Sequence, residues 1–256
     1  MSLIDLLKGL FHLRKKVDVK KLPSQGIFYN DDFKIFIKKA KYEDILEYEK
    51  SYIKEELGYI VNKIKRVVEK NSVFSSGYEF SDIKSIDVLF LFLEIVKFTK
   101  GKEINIQYFD EESGEENSIE FSSQNFNYFT LSEEILKKYD SLKKEFNIEG
   151  FKFSLPSIGV ENCTTNYLIS KSCDEDAIKY NEYNYDFMFF LGNKKNITFI
   201  EIENLIQIFN EDIDIEDSKK IKKILKIFQP IQRYSLISGK KIIEMTSKID
   251  LEKIWR

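Results

Sequence analysis

The chain has 256 residues, with 40 Lys and Arg against 43 Asp and Glu, a formal net charge of −3, and 43% apolar residues. This balance describes a folded chain with a substantial core in one or two domains, and it excludes a disordered polymer. The even charge counts against a dedicated nucleic-acid binder, and Cys163 and Cys173 are too few for a disulfide framework or a four-thiolate zinc site.

Leu3, Leu6, Leu7, Leu10 and Phe11 recur at helical spacing behind Ser2, a good N-cap residue. Arg14, Lys15 and Lys16 close this helix with charge that complements its dipole, and Val17 to Lys21 read as a linker. Residues 1–20 are therefore expected to be a docking helix with its tether, and residues 21–256 the main domain. Asp5 and Lys8 interrupt the apolar run and no small-residue cleavage site follows, so it is not read as a signal peptide. The run from Val88 to Leu93 is too short to span a bilayer, which leaves a soluble cytoplasmic product as the expectation.

Leu22-Pro23-Ser24-Gln25-Gly26 is a rigid turn, because Pro fixes φ and Gly accepts positive φ. Phe33 to Lys38 then read as a strand, and Ile45 to Glu69 as a long helical region with a break at Gly58. Ser81 and Asp82 can cap a helix with Ile86, Leu89, Phe90, Leu93 and Val96 on one face, stopped at Gly101. Glu103 to Phe109 and Asn117 to Phe121 form an expected hairpin across Ser113-Gly114. Thr130 to Glu133 is a capping box for a short helix ending at Leu136, and Phe146 to Phe153 look like a hairpin edge. That edge runs into a second pentapeptide, Leu155-Pro156-Ser157-Ile158-Gly159, which like the first reads as a rigid turn that aims a strand. Thr198 to Glu201 form another capping box. Asp214 or Asp217 can cap the helix carrying Ile221, Ile224, Leu225 and Phe228, which ends before Pro230. The last residues, to Trp255, are mixed. The expected class is α+β, a helical body with short antiparallel hairpins, in one compact unit or two tightly joined lobes.

Reactive constellations are hard to assemble. His12 is the only histidine and lies in the N-terminal amphipathic segment, which nearly rules out Ser-His-Asp and Cys-His mechanisms. Gly239-Lys240-Lys241 lacks the upstream glycine and the following hydroxyl of a phosphate loop. A calcium loop starting at Asp212 would need Gly and Glu where Asp217 and Lys223 stand, so the acidic residues Glu211 to Asp217 read as helix caps. Lys219, Lys220, Lys222, Lys223 and Lys226 read as the wet face of their helix. Tyr180, Tyr183, Tyr185, Phe187, Phe189 and Phe190 read first as core, with a partner-binding hot spot as the alternative. No catalytic, cofactor-binding or metal-binding residue is assigned.

The L-P-S-x-G-x-F-Y opening at Leu22 to Tyr29, the helix from Ile86 to Phe98 ahead of a hairpin, the second L-P-S-x-G at Leu155, and the capped helices leading to Pro230 form an ordered set. Together they resemble the baseplate hub and hub-assembly proteins of T4-type contractile-tailed bacteriophages. The resemblance implies a non-enzymatic component or assembly chaperone of the central hub. Its expected partners are other hub and tail proteins, with neither nucleic acid nor membrane, and its expected place is the host cytoplasm during assembly or the virion baseplate. Related proteins often carry a Cys-x-x-Cys knuckle in the hairpin. Here Asp110 to Glu115 occupy that loop, so no metal role is carried over. The rival class is a phage-encoded metal-dependent nuclease or other host-directed enzyme.

Overall fold

The computed structural model describes residues 14–50, 59–75, 77–101, 103–110, 113–121, 126–128, 133–171, 188–192, 194, 196–211, 213–228, 234–238, 241–244, 249–250 and 254–255. The N-terminal amphipathic segment, His12, Cys173 and Tyr180 to Phe187 lie outside these.

The chain opens with strand β1 (Arg14–Val17), which pairs antiparallel with β2 (Ile35–Lys38) in the register Arg14 with Lys38 and Val17 with Ile35. Arg14 to Lys16 are thus a strand and not a helix end. Val17 to Lys21 are not a free tether either, because Val17 is buried and a 3-10 turn over Val19–Lys21 is capped by the Asp18 carboxylate. Helices α1 (Tyr42–Lys50) and α2 (Tyr59–Asn71) follow, and β3 (Ser72–Phe74) completes a three-stranded sheet on the free edge of β2. Ser81 and Asp82 sit in a short 3-10 turn rather than capping a helix. A second 3-10 turn at Ser85–Asp87 leads directly into α3 (Val88–Lys100).

Helix α3 is the axis of the fold. Phe90, Leu91, Phe92, Leu93, Ile95 and Val96 are all buried, so the helix is enclosed on most sides rather than presenting one apolar face. Lys15 Nζ reaches across to Glu94 Oε2 at 2.7 Å and ties β1 to it. Gly101, at φ +67°, ends the helix in the left-handed conformation that glycine adopts freely. The hairpin of β4 (Ile104–Asp110) and β5 (Glu115–Phe121) then forms as its alternation predicts, with Ile104, Ile106, Ile119 and Phe121 buried.

A short strand β6 (Phe126–Tyr128) and one helical turn α4 (Glu133–Leu136) precede the meander β7 (Tyr139–Asp140), β8 (Glu145–Ile148) and β9 (Phe151–Phe153). The second pentapeptide does not aim a strand. It turns the chain from β9 into helix α5 (Ile158–Lys171), where the Ser157 hydroxyl accepts from Val160 N. Helices α6 (Met188–Leu191), α7 (Phe199–Glu211) and α8 (Ile215–Phe228) follow. Thr198 and Glu201 exchange capping-box bonds at the start of α7, and Asp214 caps α8 through Asp217 N. Strand β10 (Tyr234–Ser238) pairs with β6 and with β11 (Lys241–Glu244), and β12 (Ile249–Asp250) adds to β4. The fold is α+β, with four small antiparallel sheets among the described residues. None of the described helices is long and apolar enough to cross a membrane.

Among the described residues, three apolar clusters fill the interior. The largest wraps α3 and includes Trp255, which meets the Phe92 ring edge-on. A second gathers Phe28, Phe146, Phe153, Leu155, Phe189 and Ile224, and a third lies between α5 and α7 around Val160, Tyr167 and Ile202. Both pentapeptides run along the seams between clusters. Leu22 packs in the first, while Leu155, Ile158 and Val160 fall in the second, first and third respectively.

The two glycines of these pentapeptides do different work. Gly26 has φ +75°, and a Cβ there would lie 2.7 Å from Val19 Cγ1. Gly159 sits in α5 without positive φ, and an added Cβ would meet the Ser81 carbonyl oxygen at 3.1 Å. Gly26→Val is therefore expected to cost about 1–3 kcal/mol in chemical denaturation. Gly159→Ala should cost less. The reverse order would show that the left-handed turn at Gly26 is not what that position requires.

Candidate functional site

The two L-P-S-x-G segments, far apart in sequence, converge on the single turn Lys84-Ser85-Ile86-Asp87. Asp87, wholly buried, takes the first segment: its Oδ1 accepts from Ser24 N at 2.8 Å and its Oδ2 from the Tyr29 hydroxyl at 2.6 Å. The Tyr29 oxygen in turn accepts from Lys84 N at 3.0 Å. Lys84 takes the second segment: its Nζ donates to Leu155 O at 2.7 Å and to Gly192 O at 2.8 Å, and lies 5.3 Å from the centre of the Phe28 ring. Ser85 adds its N–H and its hydroxyl to Pro156 O, and Ile158 N donates to Ile83 O.

Local sequence explains why this turn can hold both. Ile83, Ile86 and Val88 are buried in the surrounding clusters and drag Lys84 and Asp87 inside with them. Once buried, each charge must find partners, because an unpaired one is costly. Gly192 supplies its carbonyl only because it has no side chain. A Cβ there would lie 2.4 Å from Ser154 O and 2.6 Å from Leu155 O.

Burial also shifts the titrations. It pushes the Asp87 carboxyl up from its ordinary 3.8 to about 6, against the pull of the Tyr29 and Ser24 bonds. It draws the Lys84 amine down from 10.5 to about 8, against the attraction of Asp87. The Tyr29 phenol is raised well above its usual range by burial and then by Asp87. Each of the two groups is bound mainly to backbone or hydroxyl groups rather than to the other.

Perturbed carboxyl, amine and phenol groups in one place are the raw material of acid–base catalysis. Here, however, both Asp87 oxygens, the Tyr29 hydroxyl and the Lys84 amine are engaged by the chain itself, and Asp87 and Lys84 are 0% and 5% exposed. The arrangement joins segments of the chain. It presents no face to a substrate.

The remaining candidates disperse. Cys163 is half-buried, its Sγ donates to Ile197 O, and burial pushes its thiol up. Phe189 belongs to the second cluster and Phe190 packs on the Phe153 ring at 4.6 Å, so these two aromatics are core. Lys220 pairs with Asp217 at 2.6 Å and Lys223 with Glu149 at 3.7 Å, as expected of a wet helix face. Among the described residues no three His, Cys, Asp or Glu side chains come together in a way that could hold a metal ion. Lys84, Asp87 and Gly192 were not singled out by the sequence, and Tyr29 entered only as the last residue of the first motif. The signal that could have found Lys84 and Asp87 is a pair of opposite charges three apart, interleaved with Ile83, Ile86 and Val88.

A scan of protein-family models, a search of curated proteins and a search of solved structures each find no match to this chain.

Proposed function

We propose that the chain is a non-enzymatic protein of the central baseplate hub of a contractile bacteriophage tail, either resident in the virion or an assembly factor. It acts by binding other hub and tail proteins in the host cytoplasm. The observation that supports this reading is spatial: the first L-P-S-x-G, the turn opening the helix from Ile86 to Phe98, and the second L-P-S-x-G form one hydrogen-bonded unit. The segments that carry the resemblance thus act together, and their polar groups are spent on holding the body in shape. Leu22, Ser24, Leu155 and Ser157 are buried, so the pentapeptides are not themselves contact surfaces. Contacts fall to the elements they hold up.

A clean deletion of the gene should give particles with misassembled tails, and the deletion strain should be rescued by the chain supplied in trans. Mass spectrometry of purified wild-type virions then separates a resident component, whose peptides are present, from a factor that leaves. Normal infectious particles from the deletion would overturn the proposal.

A further inference from the structure

We propose that the chain associates with further copies of itself head to tail, the free edge of β5 in one copy adding as a parallel strand to the free edge of β1 in the next. Both strands end their sheets. The orders are β1-β2-β3 and β12-β4-β5, and among the described residues no strand pairs with the outer edge of either. An open edge offers its backbone N–H and C=O groups to any strand that fits. Charge decides which strand that is. In β1, Lys15 is held by Glu94, while Arg14 and Lys16 are exposed and have no ion pair among the described residues. Arg14 stands opposite Lys38, which adds to the positive sign, and the nearby Asp18 carboxylate is turned to Lys20 N. The β4–β5 hairpin is the reverse. No Lys or Arg occurs between Glu103 and Leu136. Glu103 is taken by Lys97, but Glu115 and Glu116 are exposed, again with no ion pair among the described residues. Two β5 edges, or two β1 edges, would set like charges side by side, so neither strand suits its own kind. The pairing that charge leaves open is β1 against β5.

The two edges also match in burial. Arg14, Lys15, Lys16 and Val17 run exposed, part-buried, exposed and buried, and so do Glu116, Asn117, Ser118 and Ile119. A parallel register with Glu116 beside Arg14 therefore sets Ile119 beside Val17, each already on a core face, and keeps Ser118 and Lys16 toward water. The antiparallel register that brings Glu116 to Lys16 puts the Glu115 carboxylate beside buried Val17, which the alternation of the pleat disfavours. Because the joined edges differ, every added copy leaves one of each kind at the ends, and growth continues until a ring closes. An edge of four residues makes a small contact, so the association is weak and depends on concentration.

Association is read on the purified full chain, so its outcome is independent of the hub reading. In sedimentation velocity the mean mass should climb with protein concentration at low salt and return to the monomer at high salt. Arg14→Glu and Glu116→Arg should each weaken the association by on the order of tenfold or more, because each sets like charges side by side. The double variant Arg14→Glu/Glu116→Arg, with the two charges exchanged, should associate again. Its recovery also shows that the single variants lost a contact and not their fold. A wild type that stays monomeric at every concentration overturns the proposal. So do single variants that associate like the wild type, and so does a double variant that fails to recover.

Discussion

Lys84→Met is expected to lower the free energy of unfolding by about 3–5 kcal/mol, because it removes two charge-assisted hydrogen bonds and leaves two carbonyl acceptors in a buried site without their donor. Methionine retains most of the aliphatic stem, so the loss reports on the ammonium. Without it the Leu155 and Gly192 carbonyls lose a donor that sits at 2.7 and 2.8 Å, and the buried Asp87 carboxylate loses its nearby positive charge. Urea denaturation with the wild type as reference gives the number. The same substitution in an Asp87→Asn background separates the two contributions. It should cost less there, because no uncompensated anion remains. An equal cost in both backgrounds would show that Lys84 acts only through the two carbonyls. A cost under about 1 kcal/mol, the range of exposed ion pairs, would show that the amine is not desolvated as its surroundings imply.

The parts of the fold that could be read from the sequence are those with a period or a cap. The run from Ile86 to Phe98, the alternation of Ile104 and Ile106 against Ile119 and Phe121, the capping box at Thr198 and the cap at Asp214 each declare an element locally, and each forms. Strand β1 could not be read this way. Arg-Lys-Lys-Val buries only Val17, so it has no apolar alternation, and it exists because β2 offers an edge and Glu94 a partner for Lys15. Helix α5 is weakly marked: Val160, Cys163, Thr164, Tyr167 and Leu168 fall at helical spacing, but Cys163 and Thr164 dilute the stripe and Gly159 near its start argues against a helix on propensity alone. Its start is instead set by Ser157 and by the contact of Ile158 with Ile83. The site was least legible of all. Its bonds join residues 55 to 108 positions apart, and no local rule specifies which buried carboxylate will face which distant turn.

Asp87→Asn should make the pH dependence of stability change in a defined direction. The Asp87 carboxyl has a folded-state pKa of about 6 against an ordinary 3.8, so between those values the folded protein holds a proton that the unfolded chain has released. Stability contributed by this group is therefore complete below about pH 4 and is lost as pH rises through 6. A rise from 3.8 to about 6 is equivalent to about 3 kcal/mol, since a tenfold change in proton affinity is worth roughly 1.36 kcal/mol. Asparagine cannot titrate, so the difference between wild type and variant isolates the group while the other carboxylates cancel. The wild type should exceed the variant by more at pH 4 than at pH 6.5, with the gap narrowing by up to that amount. Lys84, whose folded-state pKa is about 8, stays protonated throughout this window and does not contribute to the slope. A difference that is flat, or that widens with pH, would mean that the Tyr29 and Ser24 bonds outweigh burial and hold the carboxyl at or below its ordinary range. Asp87 would then be a stabilising anion at neutral pH, rather than a charge the fold retains because only a carboxylate can accept from both Ser24 N and the Tyr29 hydroxyl at once.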